Sequence, residues 1–121
     1  MIVDDDEVNL LLAQEVVKFL GAVPIAYVDP EAALKGLLTE RADIVFMDLH
    51  MPGISGLELT QRIRQAEVQL GSKRVPIVAL TASAMPNELA RCLESGMDDT
   101  MTKPFSFEDL RAKLDHWCPR P

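Results

Sequence analysis

Two short runs in this chain are apolar at every position: Ile44-Val45-Phe46-Met47 and Pro76-Ile77-Val78-Ala79-Leu80. A strand with one face in water alternates polar and apolar residues. A strand that is apolar throughout is covered on both faces, as happens in a parallel sheet enclosed by helices. Longer amphipathic stretches separate these runs, and parallel neighbours need such crossovers.

The other elements follow from this alternation. Ile2-Val3 is an apolar stub, and Val8 to Leu20 reads as a helix closed by Gly21. Val23 to Val28 is predicted to be a strand. Asp29-Pro30-Glu31 starts a helix to about Glu40, with a capping carboxylate, proline at the first helical position and an acid in the first turn. Pro52 to Gly56 reads as a loop, Leu57 to Leu70 as a helix ended by Gly71, and Pro86 to about Glu94 as a helix ended by Gly96. Thr100 to Thr102 is a short strand. Ser106 then caps a last helix with Leu110, Leu114 and Trp117 on one face, stopped by Pro119.

Strand and helix therefore alternate five times within 121 residues. This predicts an α/β doubly wound fold of three layers, helices on both faces of a five-stranded parallel sheet, in the flavodoxin-like order 2-1-3-4-5. The first strand is short beside the usual 5–6 residues. The expectation is a single domain over 1–121, cut from a longer protein just upstream, with Met1 an added start and Pro119-Arg120-Pro121 the beginning of a linker.

Charge narrows the function. Nineteen acidic against twelve basic residues give −7, which disfavours a nucleic-acid surface and docking on anionic lipid. It favours divalent cations or basic partners. No apolar run approaches the ~20 residues that span a bilayer, and the start does not read as a signal peptide. Cys92 and Cys118 form no CxxC pair and read as thiols, and the isolated His50 and His116 do not suggest zinc.

In such a sheet, ligands bind beyond the carboxyl ends of the strands, where strand order reverses. Asp4-Asp5-Asp6 follow the first run, Asp48 the third, Thr81 the fourth, and Lys103-Pro104 the fifth. Singly, each has a plain reading as a cap, a turn residue or a solvated charge. Together, clustered carboxylates need a cation, and oxygen ligands suit Mg²⁺. A lysine ammonium pairs with phosphate, a threonine hydroxyl can donate to it, and a carboxylate beside the cation can act as nucleophile. The combination points to phosphoryl transfer onto an aspartate.

These residues carry a resemblance. Val3-Asp4-Asp5-Asp6-Glu7-Val8-Asn9, the run from Asp43 through Asp48 and Pro52 to Gly56, Pro76 to Ala82, and Lys103-Pro104-Phe105 resemble the receiver domain of bacterial two-component response regulators. Ala82-Ser83-Ala84-Met85, Arg91-Cys92-Leu93 and Gly96-Met97-Asp98-Asp99 are most similar to receivers of hybrid sensor histidine kinases. The resemblance implies Asp48 as phosphoacceptor, Asp5 as direct Mg²⁺ ligand and Asp4 acting through water. It implies the His50 backbone carbonyl in the metal shell, Thr81 as switch hydroxyl, Lys103 as phosphate-pairing lysine and a cis Lys103–Pro104 bond. It further implies a cytoplasmic domain that catalyses its own phosphorylation and dephosphorylation, in a parent that can be anchored in the inner membrane. Two departures stand out: Thr100 replaces a frequent aromatic, and a third acid, Asp6, follows the acidic pair and is available as a helix cap.

The implied partner is a histidine kinase or histidine phosphotransfer domain docking on the first helix. At about 100° per residue, Leu12, Ala13, Val16, Val17 and Leu20 share one arc, read as the core face. Val8, Leu11 and Phe19 flank Glu15 on another arc, read as the docking stripe. With the small Thr100, the expectation is a monomeric relay with weak coupling between Asp48 and the face formed by the fourth helix, the fifth strand and the fifth helix. The rivals fit less well. A haloacid-dehalogenase-like phosphatase needs threonine where Val8 stands, an FMN carrier would set three acids against its phosphate, and a non-phosphorylated pseudo-receiver would not need intact Asp48, Thr81 and Lys103.

Overall fold

The computed structural model describes residues 1–39, 42–49, 54–82 and 85–118. In chain order the elements are β1 (Ile2–Val3), α1 (Glu7–Phe19), β2 (Ala26–Tyr27), α2 (Pro30–Thr39), β3 (Val45–Asp48), α3 (Gly56–Leu70), β4 (Ile77–Thr81), α4 (Pro86–Ser95), β5 (Asp99–Thr102) and α5 (Phe107–Trp117). All strand pairs are parallel, in the order β2-β1-β3-β4-β5. This is the doubly wound sheet expected from the alternation of apolar runs.

The wholly apolar strands divide their side chains between two cores, because successive residues point to opposite faces. Val3, Val45, Met47, Ile77 and Ala79 pack beneath Ala33 of α2, Leu59 and Ile63 of α3 and Cys92 of α4. Ile2, Phe46, Val78 and Leu80 pack beneath Leu10, Ala13 and Val17 of α1 and Leu110 of α5. The helices are thereby fixed as α1 and α5 on one face and α2, α3 and α4 on the other.

The helix ends follow local chemistry. Asp6 caps α1, its carboxylate accepting from the amides of Val8 and Asn9 at 2.9 and 3.4 Å. Ser55 caps α3, and Ser106 and Asp109 form a reciprocal capping box on α5. Gly71 and Gly96 close α3 and α4 in the left-handed region, at φ 63° and 109°.

Two expectations are corrected. The second strand is not Val23 to Val28 but Ala26–Tyr27, with Val23 and Val28 exposed. It is the sheet edge beside β1, and because β1 is itself only Ile2–Val3, the ladder between them is two residues long. On α1, Leu12 does not face the core: it is 59% exposed, while Leu10 is buried with Ala13 and Val17. Leu10 and Leu12 lie about 200° apart on a helix, so burying one turns the other outward.

The Gly96-Met97-Asp98-Asp99 segment is structural. The Asp98 carboxylate takes Arg64 at 2.8 Å, Arg74 at 2.9 Å and the Ile77 amide at 2.9 Å. Arg64 also donates to the Gly96 and Val75 carbonyls and pairs with Glu67, joining α3, the segment that leads into β4 and the end of α4. Asp99 accepts from Lys113 at 2.7 Å and from the Trp117 indole at 2.9 Å, fastening α5 to β5. Cys92 and Cys118 are free thiols, as read from their spacing. Pro119 lies outside the described residues.

Candidate functional site

Strand order reverses beside β1, where α1 leaves on one face and α3, after β3, on the other. The crevice at the carboxyl ends of β1 and β3 holds the acids. Asp4 directly follows β1, and Asp48 is the last residue of β3. Both are buried, whereas Asp5 is exposed. One carboxylate oxygen from each of Asp4, Asp5 and Asp48 lies within 4.8 Å of the others.

Each acid of the triplet has a separate place. Asp4 is pinned by the Asp6 amide, which donates to its Oδ1 at 2.9 Å. Asp5 opens to solvent, and Asp6 is spent on the α1 cap. Three hard oxygen donors at this spacing fit a divalent cation that keeps several waters.

Lys103 joins the cluster from the end of β5, its Nζ 3.1 Å from Asp48 and 3.3 Å from Asp4. Its backbone amide donates to the Thr81 carbonyl at 2.7 Å, tying the ends of β5 and β4 together. The Lys103–Pro104 bond is cis, as the resemblance implied. Burial raises the Asp48 carboxyl to about 6, and the Asp4 and Asp5 carboxylates add to the rise while Lys103 opposes it. Burial works against the charge on Lys103, but Asp48 and Asp4 outweigh it and raise its pKa. A cation among the acids would relieve the same repulsion.

Thr81 ends β4, one residue beyond Leu80, which is in register with Asp48. Its side chain is buried, and its hydroxyl donates to Glu88 Oε1 of α4 at 2.9 Å. Glu88 was not singled out in the sequence. Its link to Thr81 spans a turn and depends on where α4 begins, although its place in the first turn of a helix after Pro86 was legible. His50, whose carbonyl was expected in the metal shell, lies outside the described residues, as do Pro52, Gly53, Ser83 and Ala84.

Residues 1–115 match the response regulator receiver domain family. The chain belongs to that family. It is 45% identical over 115 residues to the sensor histidine kinase GacS of Pseudomonas protegens, covering 95% of this chain and 12% of that protein. It is 41% identical over 122 residues to the virulence sensor protein BvgS of Bordetella pertussis, covering 99% and 10%. This receiver domain thus spans about a tenth of the length of these relatives.

Among solved structures, a chain in the co-crystal of the Saccharomyces cerevisiae histidine phosphotransfer signaling protein Ypd1 with the receiver domain of Ssk1 superposes with TM-score 0.91 and 30% identity, covering 96% of this chain and 85% of that one. Vibrio cholerae CheY4, at 24% identity and TM-score 0.87 over 96% and 94% of the two chains, shares the fold. The receiver domain family implies a divalent-metal site, and Asp4, Asp5 and Asp48 form an acidic cluster that could hold such an ion. Among the described residues no helix is long and apolar enough to cross a membrane.

Proposed function

We propose that Asp48 accepts a phosphoryl group from a phosphohistidine, so that the domain is one station of a phosphorelay. The observation that carries this is the buried Asp48 carboxylate with Lys103 at 3.1 Å and two further carboxylates within 4.8 Å. An Asp48 oxygen attacks phosphorus, the P–O bond forms as the P–N bond breaks, and the imidazole leaves with the electron pair. Lys103 offsets the charge of the arriving phosphoryl oxygens.

Asp5 and Asp48 would hold Mg²⁺ directly, and Asp4 through water. The ion would supply charge compensation for the phosphoryl oxygens. Asp48 is ionised at neutral pH even with its raised pKa of about 6, so it can act as nucleophile without a base. Thr81 supplies a hydroxyl for a second phosphoryl oxygen. Nothing favours the phosphatase, flavin or pseudo-receiver readings.

We infer further that the parent is a hybrid sensor histidine kinase, that this domain lies on its cytoplasmic side, and that it acts as a monomer. The donor docks on α1, whose outward face carries Val8, Leu11, Leu12 and Phe19, all more than half exposed. Phe19 meets Phe107 of α5 edge-on at 5.5 Å, which extends this apolar surface toward α5.

The test is incubation with a small phosphodonor and Mg²⁺. Stoichiometric, acid-stable and alkali-labile label that disappears in Asp48→Ala is the expected result. Label at the wild-type level in Asp48→Ala would refute the assignment, and turnover of many substrates would favour a phosphatase.

A further inference from the structure

The Thr81 hydroxyl has one proton, and in this structure it is committed to Glu88 Oε1 at 2.9 Å. An ionised carboxylate only accepts hydrogen bonds. For Thr81 to donate to a phosphoryl oxygen on Asp48, as the proposed function requires, its proton must leave Glu88. We propose that Glu88 is a positioning residue that holds Thr81 in the unphosphorylated state, and that phosphorylation transmits its signal by releasing Glu88. The inference rests on the phosphoacceptor reading of Asp48.

The exchange has a built-in direction. Thr81 is fully buried at the end of β4, and Glu88 is half-buried in the first turn of α4. A bond to an ionised acceptor is stronger than one between neutral groups. Only a second highly charged acceptor can compete for the same proton, and a phosphoryl group is one. Swinging the hydroxyl toward Asp48 therefore takes its hydrogen bond away from Glu88.

A basic side chain lies in the same helix. Glu88 lines a cleft of about 440 Å³ between the starts of α3 and α4, together with Ser55, Met85 and Arg91. Arg91 is three residues on from Glu88, the spacing at which helix side chains meet. Release of Glu88 toward Arg91 would change the first turn of α4 without any movement of β5. The missing aromatic at Thr100 then matters less for signal output than its small size suggests.

The experiment is a double-mutant cycle on the 121-residue chain, using beryllofluoride with Mg²⁺ as the phosphoryl stand-in and fluorine NMR to read its dissociation constant. In the wild-type background, Glu88→Ala is expected to tighten beryllofluoride about ten-fold, and Glu88→Gln, which still accepts a neutral hydrogen bond, by less. In the Thr81→Ala background the same Glu88 substitutions should change affinity less than about two-fold, because contacting residues couple and independent ones add. Tightening that persists with Thr81→Ala would mean only the negative charge of Glu88 matters, and would overturn the latch. No tightening in either background would overturn it too. Failure of the wild-type chain to bind beryllofluoride would instead remove the phosphoacceptor reading, and the latch with it.

Discussion

The Lys103 ammonium lies 3.1 Å from the Asp48 carboxylate, yet Asp48 still titrates well above an ordinary aspartate. One lysine shared between two buried acids does not compensate both, and Asp4 lies 3.3 Å from the same nitrogen. The site is built with more negative charge than its own cation can offset.

This gives a pH dependence with a definite sign. Asp48 has a folded pKa of about 6 against an ordinary value of 3.8, so between those values the folded state holds a proton that the unfolded chain has released. Without metal, stability from this group falls as pH rises from about 4 to about 6. Asp48→Asn should remove that slope and raise stability in chelator at pH 7.5 by about 2 kcal/mol. Mg²⁺ should stabilise the wild type at that pH by mass action and the variant much less. Urea unfolding with and without Mg²⁺ checks this, and an unchanged slope in the variant would contradict it.

Gly56 controls the approach of α3 to Asp48. A Cβ there would meet the Asp48 carbonyl oxygen, and would lie 3.0 Å from Leu49 Cα and 3.1 Å from the Asp48 carbonyl carbon. These are backbone atoms of the strand end and cannot turn aside. Gly56→Ala is expected to cost about 2–3 kcal/mol and to slow phosphorylation by displacing Asp48. Gly71→Ala, strained at φ 63° but with open space around its Cβ, should destabilise while leaving the phosphorylation rate unchanged. Equal rate effects would place the cause in general stability.

Acid should loosen α5 through Asp99. Burial opposes the Asp99 charge, but hydrogen bonds from Lys113 and Trp117 outweigh it and hold its pKa below 3.8. A depressed carboxylate stabilises the fold above its unfolded pKa, and that stability is lost as pH falls through the folded pKa. Asp99→Asn is expected to cost about 2 kcal/mol at pH 7, with the difference from wild type shrinking below pH 4. Chemical unfolding at pH 7 and pH 3 measures both numbers.

The fold and the places of most candidate residues were legible because those residues sit where the period changes. Ile44 to Met47 and Pro76 to Leu80 are apolar at every position, which puts Asp48 and Thr81 at strand ends without any tertiary information. Helix α1 was harder, because Val8, Leu10, Leu11, Leu12, Ala13, Val16, Val17, Phe19 and Leu20 surround the helix almost completely. Periodicity alone then leaves the phase open, and packing of Leu10 and Val17 on Phe46 and Leu110 decides it. The Thr81–Glu88 bond and the Arg64–Asp98 pair join residues whose approach depends on finished loops, and neither has a sequence period.

The corrected phase of α1 sharpens the docking prediction. Leu12, read from the sequence as core, joins Leu11, Val8 and Phe19 on the outward face, where they are 59%, 58%, 66% and 80% exposed. A solvent-facing helix side is normally polar, and this one begins beside the acidic cluster, since Asp6 caps the helix and its amide binds Asp4. The few hot-spot residues at the centre of an interface cost about 2 kcal/mol or more when truncated. Leu11→Glu and Leu12→Glu should each slow transfer from a phosphohistidine partner by about ten-fold or more, while phosphorylation by a small donor stays unchanged. Val23→Glu, at a still more exposed position but in the loop after α1, should affect neither reaction. If Leu12→Glu instead unfolds the chain or suppresses both reactions, the residue is core and the face is wrongly drawn. If Leu11→Glu and Leu12→Glu both leave histidine transfer intact, the partner docks elsewhere.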